Sequence, residues 1–290
     1  MGPDAKETAN EIRRRASQIR PVIKQAFEQA ILGATGEVQF ITNLSAELQT
    51  ACQQLAQQGI PFSCTVSLVH QNPIVKVVNT RARCELADIL VVVKYHLPGG
   101  VREKNSILYQ VKMTRKGSTQ FTIDQTQLEL LSKWPKFEFG RRATGRPIQY
   151  TVQPVGLEFG SYMLEPRNPN QGTNIMNPRN AYGAMPNAHL VRSQGPNTVD
   201  LRKLPYTRGD VQGFFSLLAF EVGEHNTNTT VWNLVDALYR YAGMTPDPPN
   251  EFEGYSDHKG IFVVIEIRVE FYKAIPRQPK AVAPERGKTI

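Results

Sequence analysis

Apolar positions at helical spacing dominate the start of the chain. Across residues 4–32, apolar side chains recur every three or four positions with charged residues between them, which predicts an amphipathic helix. Pro21 interrupts this pattern, so we expect a kink or a division into two helices there. After a break at residues 33–36, the same spacing predicts a second helix over 37–57, and Gly59 stands where a helix-terminating glycine is common.

Shorter apolar runs, bounded by Gly, Pro and polar residues, follow the two helices and are typical of β-strands. They predict strands at residues 62–69, 74–78, 87–93, 107–113, 148–157 and 261–271, a turn at 97–100, and further helices at 124–133 and 231–242. The helix at 124–133 should end at Trp134, because Pro135 disfavours a helical conformation in the residue before it.

Composition divides the chain into four parts. Residues 165–210 are rich in Asn, Pro and Arg and poor in aliphatic side chains, which is typical of a functional loop or of a disordered segment. The last residues are basic and rich in proline, so we expect them to be disordered. The predicted parts are an N-terminal amphipathic helix (1–33), a core (34–164), a loop-rich C-terminal elaboration (165–273) and a basic tail (274–290).

The overall charge favours a polyanionic partner. The chain carries a formal charge of +8 at neutral pH and has an isoelectric point of about 9.4, which suits phosphate neutralisation on a nucleic acid. The longest apolar runs are far shorter than the roughly 20 residues that span a bilayer, and no apolar signal region is present. Three cysteines without paired spacing indicate neither a disulfide framework nor a zinc site. We therefore expect a cytoplasmic protein without membrane association.

An acid and a Gln-x-Lys sequence stand on two neighbouring apolar runs. Asp88 precedes the run 89–93, and Gln110 and Lys112 lie about twenty residues later, near the end of the run 107–113. Because side chains alternate between the faces of a strand, Gln110 and Lys112 emerge on the same face. A buried carboxylate is costly unless a cation pairs with it, and either Lys112 or a divalent metal ion would do so. The pattern therefore predicts one site that contains all three residues.

Residues 34–157 resemble the restriction-endonuclease-like, or PD-(D/E)xK, nuclease superfamily. The resemblance rests on Asp88, on Gln110-Val111-Lys112, and on the order of helix, strands, helix and strand around them. It is closest to Mrr-type members, whose motif ends in Gln-x-Lys. It implies an α/β fold with a mixed central sheet flanked by helices, to which this chain adds an N-terminal helical extension and a C-terminal α+β elaboration.

The resemblance also implies a metal site. In such enzymes an acid of the first core helix, the strand acid and the third-motif acid or amide hold the metal, and the lysine assists the attacking water. By position these are Glu37, Asp88, Gln110 and Lys112, and the expected ion is Mg²⁺ or Mn²⁺. Gln110 offers only a neutral amide oxygen, so the site has one negative charge fewer than the acidic version and should bind metal more weakly.

Other residues near this motif are alternatives to Glu37 or additions to the site. Glu85 precedes Asp88 by three residues and would face the opposite side of a regular strand, whereas Glu47 lies on the same predicted helix as Glu37. Gln125 and Gln127, on the next helix, would support the site, touch a nucleic-acid backbone, or lie on the helix surface.

The expected function is a metal-dependent endonuclease that hydrolyses phosphodiester bonds of DNA rather than RNA, and a bacterial defence system is the setting that the family suggests. The alternative is a non-catalytic subunit of the nuclease fold, which binds nucleic acid or a protein partner or assembles as a homo-oligomer. This alternative stays open because Gln110 occupies the position where the commoner motif has an acid.

Overall fold

Three helices form the N-terminal region of the computed structural model, which describes residues 3–96, 102–114, 118, 120–141, 146–152, 159–165, 174–176, 197–200, 208–225, 227–244 and 260–270. They are α1 (Pro3–Arg14), α2 (Ala16–Leu32) and α3 (Glu37–Gln57). The helical segment is interrupted at Arg15, six residues before the expected position at Pro21, and Pro21 itself lies inside α2. Proline removes one intrahelical hydrogen bond there, and the apolar face on both sides of it is buried, so the helix continues.

Strands and three further helices form the rest of the described chain. The helices are α4 (Gln125–Lys133), α5 (Asp210–Leu218) and α6 (Thr229–Tyr241). The strands are β1 (Phe62–Val69), β2 (Ile74–Val77), β3 (Arg83–Glu85), β4 (Ile89–His96), β5 (Arg102–Met113), β6 (Gln120–Ile123), β7 (Phe137–Arg141), β8 (Pro147–Tyr150), β9 (Gly160–Glu165), β10 (Asn174–Met176), β11 (Asn197–Asp200), β12 (Arg208–Gly209), β13 (Glu224–His225) and β14 (Phe262–Val269). The predicted end of α4 is confirmed, because Trp134 takes a left-handed conformation (φ 47°) before Pro135.

The central sheet is mixed and holds eight of the described strands in the order β1-β14-β4-β5-β9-β10-β12, with β13 beside β5. Strand β14 runs parallel to β4 and antiparallel to β1, and it lies between them. Strands β4 and β5 are antiparallel, with Ile89 opposite Tyr109, and β5 is parallel to β9. The C-terminal strand is therefore an interior member of the sheet that carries the candidate site.

Helices cover both faces of this sheet. One buried cluster joins α1, α2, α3 and α5 to side chains such as Val91 and Val111, and a second joins α4 and α6 to side chains such as Leu90 and Leu108. The expectation of an α/β protein with a mixed central sheet flanked by helices is thus confirmed. No helix within the described residues combines the length and the apolar character needed to cross a membrane.

The strand expected at residues 148–157 differs from the prediction. Residues 147–150 form β8, which belongs to a separate four-stranded sheet with β7, β2 and β3. The strand that pairs with β5 after α4 is β9, and this long-range parallel pairing leaves no local signal in the sequence. The predicted turn at 97–100, the end of that expected strand (153–157), most of 165–210 and the tail 274–290 lie outside the described residues.

A buried charge cluster crosses the face of the sheet that α6 covers. Glu266 on β14 is 3% exposed, and its carboxylate accepts hydrogen bonds from Lys94 Nζ, from Arg268 Nε (2.7 Å) and from the Tyr239 hydroxyl (2.8 Å). Burial alone raises the pKa of Glu266, but the hydrogen bonds from Lys94 and Arg268 outweigh it and hold the pKa below its usual value.

Candidate functional site

Asp88 stands immediately before β4, where the sheet fixes its backbone on both sides. Its N–H donates to the carbonyl of Tyr109 on β5 (2.9 Å), and its carbonyl accepts from the N–H of Val263 on β14 (2.9 Å). Because Ile89 pairs with Tyr109 in an antiparallel register, Asp88 comes opposite Gln110. Two neighbouring strands therefore present the acid and the amide side by side.

The Asp88 carboxylate is almost completely buried, with 5% of the residue exposed. Its Oδ2 accepts hydrogen bonds from the backbone N–H of Val111 (2.7 Å) and from the Gln110 side-chain amide. Its Oδ1 accepts from Asn72 Nδ2 at 3.3 Å. Three N–H donors thus replace the water that the carboxylate loses on folding.

The Gln110 amide is in turn held by α4. Its Oε1 accepts a hydrogen bond from Gln127 Nε2 (2.5 Å), and the same Gln127 nitrogen donates to the backbone carbonyl of Glu85 (3.0 Å). Asp124, the N-cap of α4, accepts from the Gln127 N–H (2.8 Å) and so fixes the first turn that carries this side chain. Gln110 accordingly donates to Asp88 and accepts from Gln127.

Lys112 and Glu37 form the more open side of the cluster. The Lys112 ammonium lies 3.8 Å from Glu37 Oε2, and the two side chains are 17% and 39% exposed. Glu37 Oε1 also accepts from the N–H of Met113, the last residue of β5 (3.1 Å). The first turn of α3 is therefore tied to the end of the strand that carries Gln110 and Lys112.

The electrostatics of the cluster centre on Asp88. Burial, together with the charges of Glu85 and Glu37, raises the pKa of its carboxyl from 3.8 to about 8. The Lys112 ammonium and the Val111 N–H act in the opposite direction but do not cancel the effect of burial. A nearby cation stabilises the ionised form of such a buried carboxyl more than it stabilises a solvated carboxylate.

The four residues predicted from the sequence form two contacting pairs, Asp88 with Gln110 and Lys112 with Glu37, and the charges of the second pair act on Asp88. Glu37 reaches the cluster with its carboxylate, whereas Glu85 contributes its backbone carbonyl and a charge that acts on Asp88. Glu47, ten residues along α3, takes no part in the contacts described above.

The two glutamines of α4 have different hydrogen-bond partners. Gln127 is buried in the network, and Gln125 donates to Glu129 on the same helix (3.0 Å). Sequence reasoning missed Asn72, which follows β1 in a polar stretch without periodicity. No sequence pattern could have assigned it to the site.

Oxygen atoms make up the donor set of this cluster, and oxygen is the ligand that Mg²⁺ and Mn²⁺ prefer. The Asp88 and Glu37 carboxylates and the Gln110 amide therefore fit a divalent ion in chemical type. Within the described ranges, no three side chains of Asp, Glu, His or Cys gather into a group that could hold a metal. An ion bound here would depend on two carboxylates at most, completed by neutral oxygen donors.

Comparison with known proteins gives no match to this chain: no protein-family model, no curated protein and no solved structure is similar to it.

Proposed function

We propose that the protein is a metal-dependent endonuclease and that Asp88, Gln110, Lys112 and Glu37 form its active site. The observation that carries the proposal is the buried Asp88 carboxylate, opposite a Gln-x-Lys strand end and within reach of a lysine charge. Burying an acid costs free energy, and buried acids with strongly raised pKa values are concentrated at functional sites.

Asp88, Glu37 and Gln110 would hold the divalent ion. Such an ion lowers the pKa of a bound water toward neutrality and offsets the charge that develops on a phosphate during hydrolysis. The three residues differ in what they offer, since Asp88 is buried and Glu37 is partly exposed to solvent. Asp88 is accordingly the principal charged ligand in this proposal, and Glu37 is the ligand nearest the substrate side.

Lys112 is the positively charged side chain of the proposed active site, in addition to the charge of the bound ion. Its ammonium is held by Glu37 on one side and acts on Asp88 on the other. In this position it would donate a hydrogen bond to the attacking water or to a non-bridging phosphate oxygen, where negative charge increases in the transition state. Glu37 orients this group through the 3.8 Å ion pair.

The proposed substrate is DNA, in line with the family resemblance. The formal charge of +8 supports a polyanionic substrate, because each phosphate contact by Lys or Arg releases condensed counterions.

Cleavage assays with the purified protein test the proposal. Supercoiled, linear and single-stranded DNA, and RNA of matched length, are incubated with Mg²⁺, with Mn²⁺ and with EDTA. We expect cleavage of DNA that requires the divalent ion and falls as salt rises. A protein that binds DNA under these conditions but cuts none of the substrates would contradict the nuclease proposal.

A second function is favoured by the closed hydrogen-bond network. In the structure the Asp88 carboxylate has three N–H donors, and the Gln110 amide is engaged at both ends. A network whose polar groups already have hydrogen-bond partners also suits a non-catalytic subunit that retains the fold and binds nucleic acid or a protein partner. Binding without cleavage in the assay above would select this function.

Gln110→Glu should strengthen metal binding and lower the stability of the metal-free protein. The change replaces the amide donor with a carboxyl oxygen that faces Asp88 Oδ2, so two buried acids meet and one of them must stay protonated when no cation is bound. We expect the metal-free protein to lose about 1–3 kcal/mol of unfolding free energy and the Mg²⁺ concentration for half-maximal cleavage to fall. Urea denaturation in EDTA and Mg²⁺ titrations of cleavage measure the two effects.

Gln53→Glu is the matched control for this variant, since it adds the same charge at an exposed position of α3. It should leave both measurements unchanged. Superimposable Mg²⁺ titrations for Gln110→Glu and the wild type would exclude Gln110 as a ligand.

A further inference from the structure

Asn72 is an unpredicted neighbour of the buried acid, and its amide is only half satisfied. The residue is 6% exposed, and its Nδ2 donates to Asp88 Oδ1 at 3.3 Å. Its Oδ1 is buried and accepts no hydrogen bond from any residue that the structure describes. An unpaired buried amide oxygen costs about 1–3 kcal/mol, so its retention beside Asp88 indicates a further partner.

Gly260 packs closely against this amide. A methyl group on Gly260 would overlap the Asn72 side-chain amide, so the absence of a side chain at residue 260 makes the space that Asn72 occupies. Gly260 lies two residues before β14, and Val263 of that strand donates to the Asp88 carbonyl. The Asn72 amide therefore contacts both the segment before β14 and the Asp88 carboxylate.

We propose that Asn72 is a further ligand of the site: its amide nitrogen holds Asp88 in the cation-free protein, and its amide oxygen binds the divalent cation. This inference rests on the proposed function, because it assigns an oxygen donor to the ion that the nuclease requires. Amide oxygens are ordinary ligands of divalent cations. The assignment also supplies a neutral donor to a site that has two carboxylates at most.

Asn105 has the same kind of unpartnered oxygen among the described residues without a carboxylate bonded to its amide. This residue is also fully buried with an unpartnered Oδ1 among the described residues, but its Nδ2 donates to the backbone carbonyls of Val222 and Leu217 (3.3 Å to the second). No carboxylate contacts its amide in those bonds, whereas the Asn72 amide contacts Asp88 directly. Asn105 therefore provides the matched control for the experiment below.

Direct measurement of cation binding tests the assignment without relying on cleavage. The midpoint of thermal unfolding is followed as Mg²⁺ and, separately, Mn²⁺ are added to the full chain, and calorimetric titration gives the dissociation constant. Asn72→Asp, which keeps the size of the side chain and adds a carboxylate, should bind Mg²⁺ at least about tenfold more tightly. Asn72→Ala should bind it at least about tenfold more weakly.

Two controls separate this role from a structural one. Asn105→Asp should change the unfolding midpoint in EDTA without changing the dissociation constant for Mg²⁺. Gly260→Ala, which displaces the Asn72 amide without altering residue 72, should weaken Mg²⁺ binding as Asn72→Ala does. If Asn72→Ala does not fold, Asn72→Asp and Gly260→Ala carry the test.

The outcomes that overturn the inference are distinct. A wild-type response to Mg²⁺ that depends on Asp88 but is unchanged in the Asn72 and Gly260 variants would remove Asn72 from the site and leave the proposed nuclease function intact. No response to Mg²⁺ or Mn²⁺ in the wild type would overturn the assignment together with the metal requirement of that function.

Discussion

Asp88→Asn should make the metal-free protein more stable at pH 8 while removing divalent-dependent cleavage. Burial raises the pKa of Asp88 from 3.8 to about 8, so the folded state binds a proton that the unfolded state releases across this range. The contribution of Asp88 to stability therefore falls as the pH rises from 4 to 8. Asparagine does not ionise, so the stability difference between variant and wild type should grow with pH.

The packing around Asp88 accommodates an amide at this position. The side-chain oxygen of the introduced asparagine would still accept from Val111 and Gln110, and its NH₂ group would face Asn72, whose unpaired Oδ1 can accept in place of the donating nitrogen. The neutral side chain removes the principal charged ligand, and we expect cleavage to fall at least about 100-fold.

Urea denaturation in EDTA at pH 5 and pH 8, and cleavage assays in Mg²⁺, measure the two effects of this variant. Asp236→Asn makes the same chemical change at an exposed position of α6 and should alter neither. A variant that loses stability more at pH 8 than at pH 5 would contradict the assignment of Asp88 as an acid that costs stability.

Glu266→Gln should destabilise the protein by about 3 kcal/mol or more at pH 7, because it leaves the Lys94 ammonium without a carboxylate. The Lys94 side chain is 17% exposed, so water replaces the lost partner only in part. The pKa of Glu266 is held below 4.5, so its contribution is complete above that pH and is lost as the pH falls through the lower, folded-state pKa. The stability difference should therefore shrink in acid.

Glu28→Gln provides the comparison for Glu266→Gln. Glu28 and Lys24 form an ion pair of 3.4 Å with both side chains more than half exposed, and such pairs contribute at most about 1 kcal/mol. Chemical denaturation of the two variants and the wild type at pH 7 and pH 3 measures the difference. Equal losses for the buried and the exposed pair would show that solvent screens Lys94 and Glu266 as effectively as a surface pair.

The local sequence pattern was enough to predict many of the helices and strands. The helix at 37–57, the strand at 62–69 and the end of the helix at Trp134 all follow from spacing, Gly and Pro within a few residues. The two strands around Asp88 and Gln110 followed from apolar runs, and their alternation placed Gln110 and Lys112 on one face. Those features depend on neighbours along the chain.

Long-range pairing could not be predicted in the same way. The sequence of β14 reads as a strand, but nothing in it indicates insertion between β1 and β4, and β9 rather than residues 148–157 pairs with β5. The buried polar residues of the site show the same limit. Asn72 is an ordinary loop residue in the sequence, and the sequence indicated Gln127 only together with Gln125 and with three alternative roles. Only the packing of distant elements brings the amides of Asn72 and Gln127 to Asp88 and Gln110.

The interior position of β14 sets the order in which the protein can assemble. A ribosome delivers β1, α3, β4 and β5 long before β14, and until then β1 and β4 have no strand between them and present unpaired edges. Such a topology has high contact order, and the unpaired edges stay exposed until β14 has been made. The same strand supplies the Val263 N–H to Asp88, and Gly260 just before it encloses Asn72. The acidic site is therefore completed only after β14 has been translated.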